Sequence, residues 1–114
     1  MYDSNNVFAK ILRGELPSKK IYENEYALSF HNIDPKSRIH ALIIPKGEYK
    51  NILEFTTRAS LEEQSGFWTA VHETVKALGV SEEFRVLANT GAYQSIMHFH
   101  IHLMNDDKYM QDGL

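Results

Sequence analysis

The stretch Ile96-Met97-His98-Phe99-His100-Ile101-His102-Leu103 constrains this chain more than any other. Histidine alternates with apolar residues. A period of two belongs to a half-buried β-strand, because successive strand side chains point to opposite faces. The spacing predicts His98, His100 and His102 on one face and Phe99, Ile101 and Leu103 in a core. A helix would scatter the three imidazoles around its circumference. On a strand, neighbours on one face stand about 6.5–7 Å apart. A stretch that only had to pack would more readily carry Val or Thr at those positions. Imidazoles in a row repel one another once protonated, and each needs a hydrogen-bond partner if buried. The row therefore reads as a site, with two chemistries open: metal binding, or nucleophilic and acid–base catalysis.

The rest of the chain limits what that site can serve. At 114 residues there is room for one core and not two, so a single domain over 1–114 is expected, with a polar tail over 105–114. A net charge of −3 carries no basic footprint for a nucleic-acid partner. The absence of cysteine excludes disulfides and thiolate metal sites. No apolar run is long enough to span a bilayer, and Met1 to Asn6 lack the basic and apolar regions of a signal peptide. A cytoplasmic location is the resulting expectation.

Local signals divide the chain into elements. Asn5 or Asn6 caps a short helix from Val7 to about Arg13, with Val7, Phe8, Ile11 and Leu12 at one-face spacing and Gly14 as its stop. Strands are predicted over 20–23, 26–31 and 38–44, the first two as a hairpin. A short helix is predicted over 49–55. Ser60-x-x-Glu63 is a capping box opening a long helix to Leu78, with Gly79 at its end. Leu61, Phe67, Trp68, Val71, Val75 and Leu78 are its expected core stripe, with His72 beside it structural or exposed. A fourth strand, 84–88, leads through a polar turn into the histidine strand and places Asn89 beside the imidazoles. Hairpins outnumber possible crossovers. The fold class is therefore α+β, a mainly antiparallel sheet of about five strands with one long and one or two short helices, the long helix on one face and the histidines on the other.

Three uses of the histidines follow. An imidazole whose one nitrogen donates to a backbone carbonyl presents the other as a nucleophile. With neighbouring imidazoles and the turn Thr90-Gly91-Ala92-Tyr93-Gln94-Ser95 to meet phosphate oxygens, it could displace a group at phosphorus through a nucleotidyl-histidine. A zinc site would take three histidines and a water. Three successive same-face residues span about 13 Å, so such a site would drop His98 or His102 and recruit His40 or a carboxylate. Thirdly, the same pocket could bind a nucleotide without turnover.

Gln94-Ser95-Ile96-Met97-His98-Phe99-His100-Ile101-His102-Leu103-Met104 resembles the signature of the histidine triad (HIT) family. The likeness continues in 7–17, 27–33 and 40–46, closest to the histidine-triad nucleotide-binding, or Hint-like, branch. The resemblance implies a HIT-like fold and a homodimer with one sheet running across two subunits. It also implies hydrolysis or transfer at the α-phosphorus of purine nucleoside phosphoramidates or related nucleotide conjugates, with no cofactor and no metal. By motif position His100 would be the nucleophile. His102 would contact phosphate and assist the leaving group, while His98 and His40 orient the triad. Gln94 and Ser95 would sit at the phosphate with Asn89 beside it, and Val7, Phe8, Ile11, Phe30, His31, Asn32 and Ile33 would form the base and ribose pocket. The chain departs from the family pattern at Asn32, where an aspartate that holds ribose hydroxyls is common. It departs also at Asn6, Ala9 and Glu48, which replace the two cysteines and the further histidine that hold a structural zinc in some bacterial members.

Overall fold

A computed structural model describes residues 1–107. Helix α1 (Val7–Leu12) is followed by strands β1 (Lys20–Glu23), β2 (Ala27–His31) and β3 (Ser37–Pro45). Helices α2 (Ile52–Arg58) and α3 (Leu61–Leu78) come next, then β4 (Arg85–Leu87), a 3-10 turn over Gly91–Tyr93 and β5 (Ile101–Asp107). The five strands form one sheet in the order β1-β2-β3-β5-β4, and every neighbouring pair is antiparallel. The expected α+β architecture is thus the one observed.

The sheet is covered on both faces around β3. One core gathers Ala27, Ala41, Ile43, Phe99, Ile101 and Leu103 under Phe55 of α2 and Phe67, Ala70 and Val75 of α3. The other gathers Leu28, Phe30, Leu42 and Ile44 under Phe8 of α1. Strands buried on both faces read as unbroken apolar runs, which is why Ala41-Leu42-Ile43-Ile44 does not alternate. Directly paired residues share a face. Phe30 with Leu42, His40 with Met104 and Leu42 with His102 therefore place the histidine face on the α1 side.

Helix α3 begins and ends where its local chemistry says. Ser60 and Glu63 exchange the two bonds of a capping box, and Gly79 closes the helix at φ +70, in the left-handed region that suits glycine. Its core stripe differs from the expected one. Phe67, Ala70, Thr74 and Val75 are buried, while Leu61 is 83% and Trp68 50% exposed. Trp68 lies one residue, or about 100°, around the helix from Phe67, so it packs edge-on against that ring at the margin.

Three boundaries move. Helix α2 starts at Ile52, because Asn51 caps it through the Glu54 N–H at 2.9 Å while Tyr49 is buried ahead of it. Strand β5 starts at Ile101, not Ile96, since its pairing with β3 ends at Ile43–Ile101. Beyond that point Pro45 has no N–H to offer, and the Phe99 N–H donates to the Tyr49 carbonyl at 2.7 Å instead. The polar tail does not begin at Asn105. Asn105 is buried within β5, where it pairs with Ile39 and donates to the Glu83 carbonyl, and residues 108–114 lie outside the described residues.

Candidate active site

Phe99, Ile101 and Leu103 are 1%, 2% and 0% exposed, so the alternation drives these three into the α3-side core and turns the histidines the other way. The ring centroids of His100 and His102 are 5.1 Å apart, and those of His40 and His102 also 5.1 Å. His98 is fully buried, and Phe8 packs edge-on against the rings of both His98 and His100.

The hydrogen-bond partners set each tautomer. The Pro45 carbonyl lies 2.8 Å from His98 Nε2, and a carbonyl can only accept, so Nε2 carries the proton. His98 Nδ1 is then an acceptor and receives the Tyr2 hydroxyl at 2.6 Å. His100 Nδ1 faces the His98 carbonyl at 2.8 Å, so Nδ1–H donates and the Nε2 lone pair is left for chemistry. The Lys36 N–H donates to His40 Nδ1 at 2.9 Å, which leaves His40 Nε2–H to donate to His102 Nδ1 at 2.9 Å. Neutral His102 therefore keeps its proton on Nε2. Two sets of directional bonds, one through His98 to His100 and one through His40 to His102, thus orient the four imidazoles, and the rings of His100 and His102 meet between them.

Burial keeps the row uncharged. It is the first cause holding His98 at about 4, and first again at His102, where neighbouring His100 and His40 add to it and the value is also about 4. His100 is lowered as well, by burial, against a smaller opposing effect of its bond to the His98 carbonyl.

A cavity of about 560 Å³ opens in front of His100 and His102. Val7, Phe8 and Ile11 of α1 form one wall, and Phe30, His31, Asn32 and Ile33 form another. Ser95, Ile96, His40 and Leu42 border the same cavity. Cavities of this size and apolar character fit a small organic ligand. Apart from Leu42 and Ile96, these bordering residues are ones named from the sequence, and the structure brings them around one cavity. It places three others differently. His98 lies behind the row, out of the cavity. Asn89 borders a second, smaller cavity that shares Lys36, His40 and His102 with the first. Gln94 is buried, and its Nε2 donates to the carbonyls of Lys50 and Ile96 at 2.7 and 2.9 Å, bracing the loop that carries Ser95.

Leu16, Pro17, Ser18, Lys36, Leu42 and Ile96 also border the main cavity and were not singled out in the sequence. Leu42 and Ile96 were within reach of the same period-two argument, two residues on from His40 and two before His98. Tyr2 had no such signal. Asn32 holds the Asp34 N–H through its oxygen at 2.9 Å, which turns its amide nitrogen to 3.3 Å from His40 Nε2. Two donors face each other there, where a carboxylate would accept. Among the described residues, no three His, Asp or Glu side chains converge as metal ligands.

The HIT domain model matches residues 13–109. An uncharacterized HIT-like protein of Azospirillum brasilense is 48% identical over 105 residues, covering 90% of this chain and 86% of its own length. A HIT-like protein of Helicobacter pylori is 40% identical over 107 residues, covering 91% and 99%. Among solved structures, a HIT family hydrolase from Clostridium thermocellum has a TM-score of 0.82 at 31% identity, covering 93% of this chain and 94% of that one. A histidine triad nucleotide-binding protein from Candida albicans has a TM-score of 0.80 at 30% identity, covering 91% and 76%.

Proposed function

The chain belongs to the HIT family, and from that premise and the geometry of its histidines we propose a nucleotide hydrolase or transferase acting at the α-phosphorus. The substrates are purine nucleoside phosphoramidates or related nucleotide conjugates. The observation that carries this reading is the state of His100: Nδ1–H tied to a backbone carbonyl, Nε2 unprotonated, and the ring bordering a nucleoside-sized cavity.

In the first step His100 Nε2 attacks the α-phosphorus. The bond from phosphorus to the leaving nitrogen breaks, its electron pair stays on that nitrogen, and a proton from the His102 side neutralises the departing amine. The nucleotidyl-imidazole so formed carries positive charge, and its Nδ1–H already points at the His98 carbonyl, so charge develops against a fixed dipole. Water then attacks the same phosphorus and gives a proton back to the His102 side, the bond to Nε2 breaks, and its electron pair returns to the ring. Splitting the displacement in two is the advantage of a nitrogen nucleophile. Ser95 faces the phosphate, and the walls formed by α1 and residues 30–33 take the base and ribose. The same reading includes a homodimer, supported by the edge strand β4 and its flank, where Phe84 and Val86 are 43% and 40% exposed.

The test is turnover of an adenosine phosphoramidate in the presence of a chelator, with acid-free quenching and intact-protein mass. The expected result is chelator-resistant hydrolysis and a nucleotidyl adduct that maps to His100. Loss of activity to chelator would shift the reading to a metal site. Bound nucleotide with no turnover would leave a binding module.

The pH dependence has a definite sign. Protonating His100 removes the attacking lone pair, and burial lowers its pKa from the ordinary histidine value near 6.5. The acid limb of kcat/KM, which reports the free enzyme, is therefore expected below pH 6.5, with the rate flat through neutrality. A limb at or above 6.5 in a pH–rate profile would contradict a desolvated nucleophile.

A further inference from the structure

His98 lies outside the cavity, yet both of its ring nitrogens and its carbonyl are used. Its Nε2–H is spent on Pro45, its carbonyl holds the nucleophile's Nδ1–H, and its Nδ1 accepts the hydroxyl of Tyr2, a residue 96 positions away. The ring of Tyr2 also meets the His98 ring edge-on, with centroids 5.6 Å apart. We infer that Tyr2 is a positioning residue for the nucleophile, acting through His98: its hydroxyl, donating to His98 Nδ1, locks the ring whose backbone carbonyl sets the tautomer and aim of His100. The inference rests on His100 being the nucleophile.

A buried acceptor must be satisfied. His98 is 0% exposed, so a bare Nδ1 lone pair would have neither protein nor bulk water to satisfy it. Removing the Tyr2 hydroxyl leaves two ways to relax. The His98 ring can turn away from Pro45, or the segment can shift to admit a water. Either loosens the segment that carries the His98 carbonyl, which among the described residues is the partner that makes Nδ1 the protonated nitrogen of His100. The alternative tautomer puts the proton on Nε2 and has no lone pair for phosphorus. Small displacements of a nucleophile are costly to the chemical step and cheap to binding, because the nucleoside walls are elsewhere. Those walls, α1 and residues 30–33, do not include Tyr2.

Tyr2→Phe keeps the ring contact and removes only the hydroxyl. The experiment compares it with the wild-type chain by steady-state kinetics on an adenosine phosphoramidate and by nitrogen-15 NMR of the histidine rings at pH 7.5. The expected result is a kcat lower by about tenfold with KM within twofold, and a His100 signal changed from Nδ1–H alone to a mixture of tautomers. Unchanged kcat overturns the inference, and so does a lowered kcat with the His100 tautomer intact. If neither protein turns over any conjugate, the functional reading fails while the ring signals still decide the tether: a tautomer mixture in Tyr2→Phe supports it, and an unaltered His100 overturns it.

Discussion

His100→Ala is expected to lower turnover of an adenosine phosphoramidate by about 10⁴-fold or more while adenosine monophosphate still binds within about twofold of the wild-type affinity. Removing a nucleophile abolishes the covalent route, and what survives comes from positioning and charge alone, so losses of about 10⁴–10⁶-fold are the scale to expect. Binding persists because His100 contributes one edge of the cavity, while Val7, Phe8, Ile11, Phe30 and Ile33 supply its apolar walls. The fold persists because, among the described residues, the polar bond of the His100 ring runs only two residues back to His98, and α1 keeps its other apolar contacts, Phe8 with Phe30 among them, when the ring is lost. The check is paired, a turnover assay beside calorimetric titration with the monophosphate. Turnover within tenfold of wild type would remove His100 from the mechanism. Loss of binding in parallel with turnover would show that the residue shapes the pocket and is not the attacking group.

Phe99→Ala has the largest expected effect on stability. Phe99 lies between the two most buried histidines and points the other way, 1% exposed, stacked on Phe55 at 5.1 Å and packed against Phe67 at 5.3 Å. Phenylalanine-to-alanine changes in close-packed cores cost about 3–5 kcal/mol, and whole domains are stable by only about 5–15 kcal/mol. The three rings come from α2, α3 and the segment leading into β5, so their cluster cannot collapse onto the gap without moving a helix. Urea unfolding should show a midpoint shifted by that amount at an unchanged slope. A cost under about 1 kcal/mol would mean that the apolar half of the alternation does not hold the core.

These two variants separate what one stretch of chain does on its two faces, and both faces were legible before the fold was known. The period-two pattern of 96–103 depends only on where neighbouring side chains point, which is a property of extended backbone. It assigned Phe99, Ile101 and Leu103 to the core and the imidazoles to the opposite face. The bounds of α3 were legible for the same local reason, since Ser60 and Glu63 lie three residues apart and Gly79 closes the last turn. The resemblance named residues of α1 and residues 30–33 for a base and ribose pocket, and those residues border the cavity in front of His100 and His102.

What the pattern could not reach is set by contacts between distant segments. Trp68 was expected inside and is half exposed, because the width of a buried helix stripe depends on how the sheet meets the helix, which periodicity does not contain. The histidine segment enters β5 only at Ile101, because its neighbour β3 ends in a proline and the Tyr49 carbonyl takes over the pairing. Gln94 braces a loop from inside, since the carbonyls it serves belong to Lys50 and Ile96.

Taken alone, then, the sequence determined that three histidines share a face above an apolar core, and which short elements carry them, because side-chain alternation and helix capping are decided within a few residues. The tertiary structure decided which nitrogen of each imidazole holds a proton. That depends on Pro45, Tyr2 and Lys36, brought to the rings from 53, 96 and 4 residues away by the fold. A ring's identity is written locally, but its tautomer belongs to its partners, and the chemistry of the site follows the tautomer.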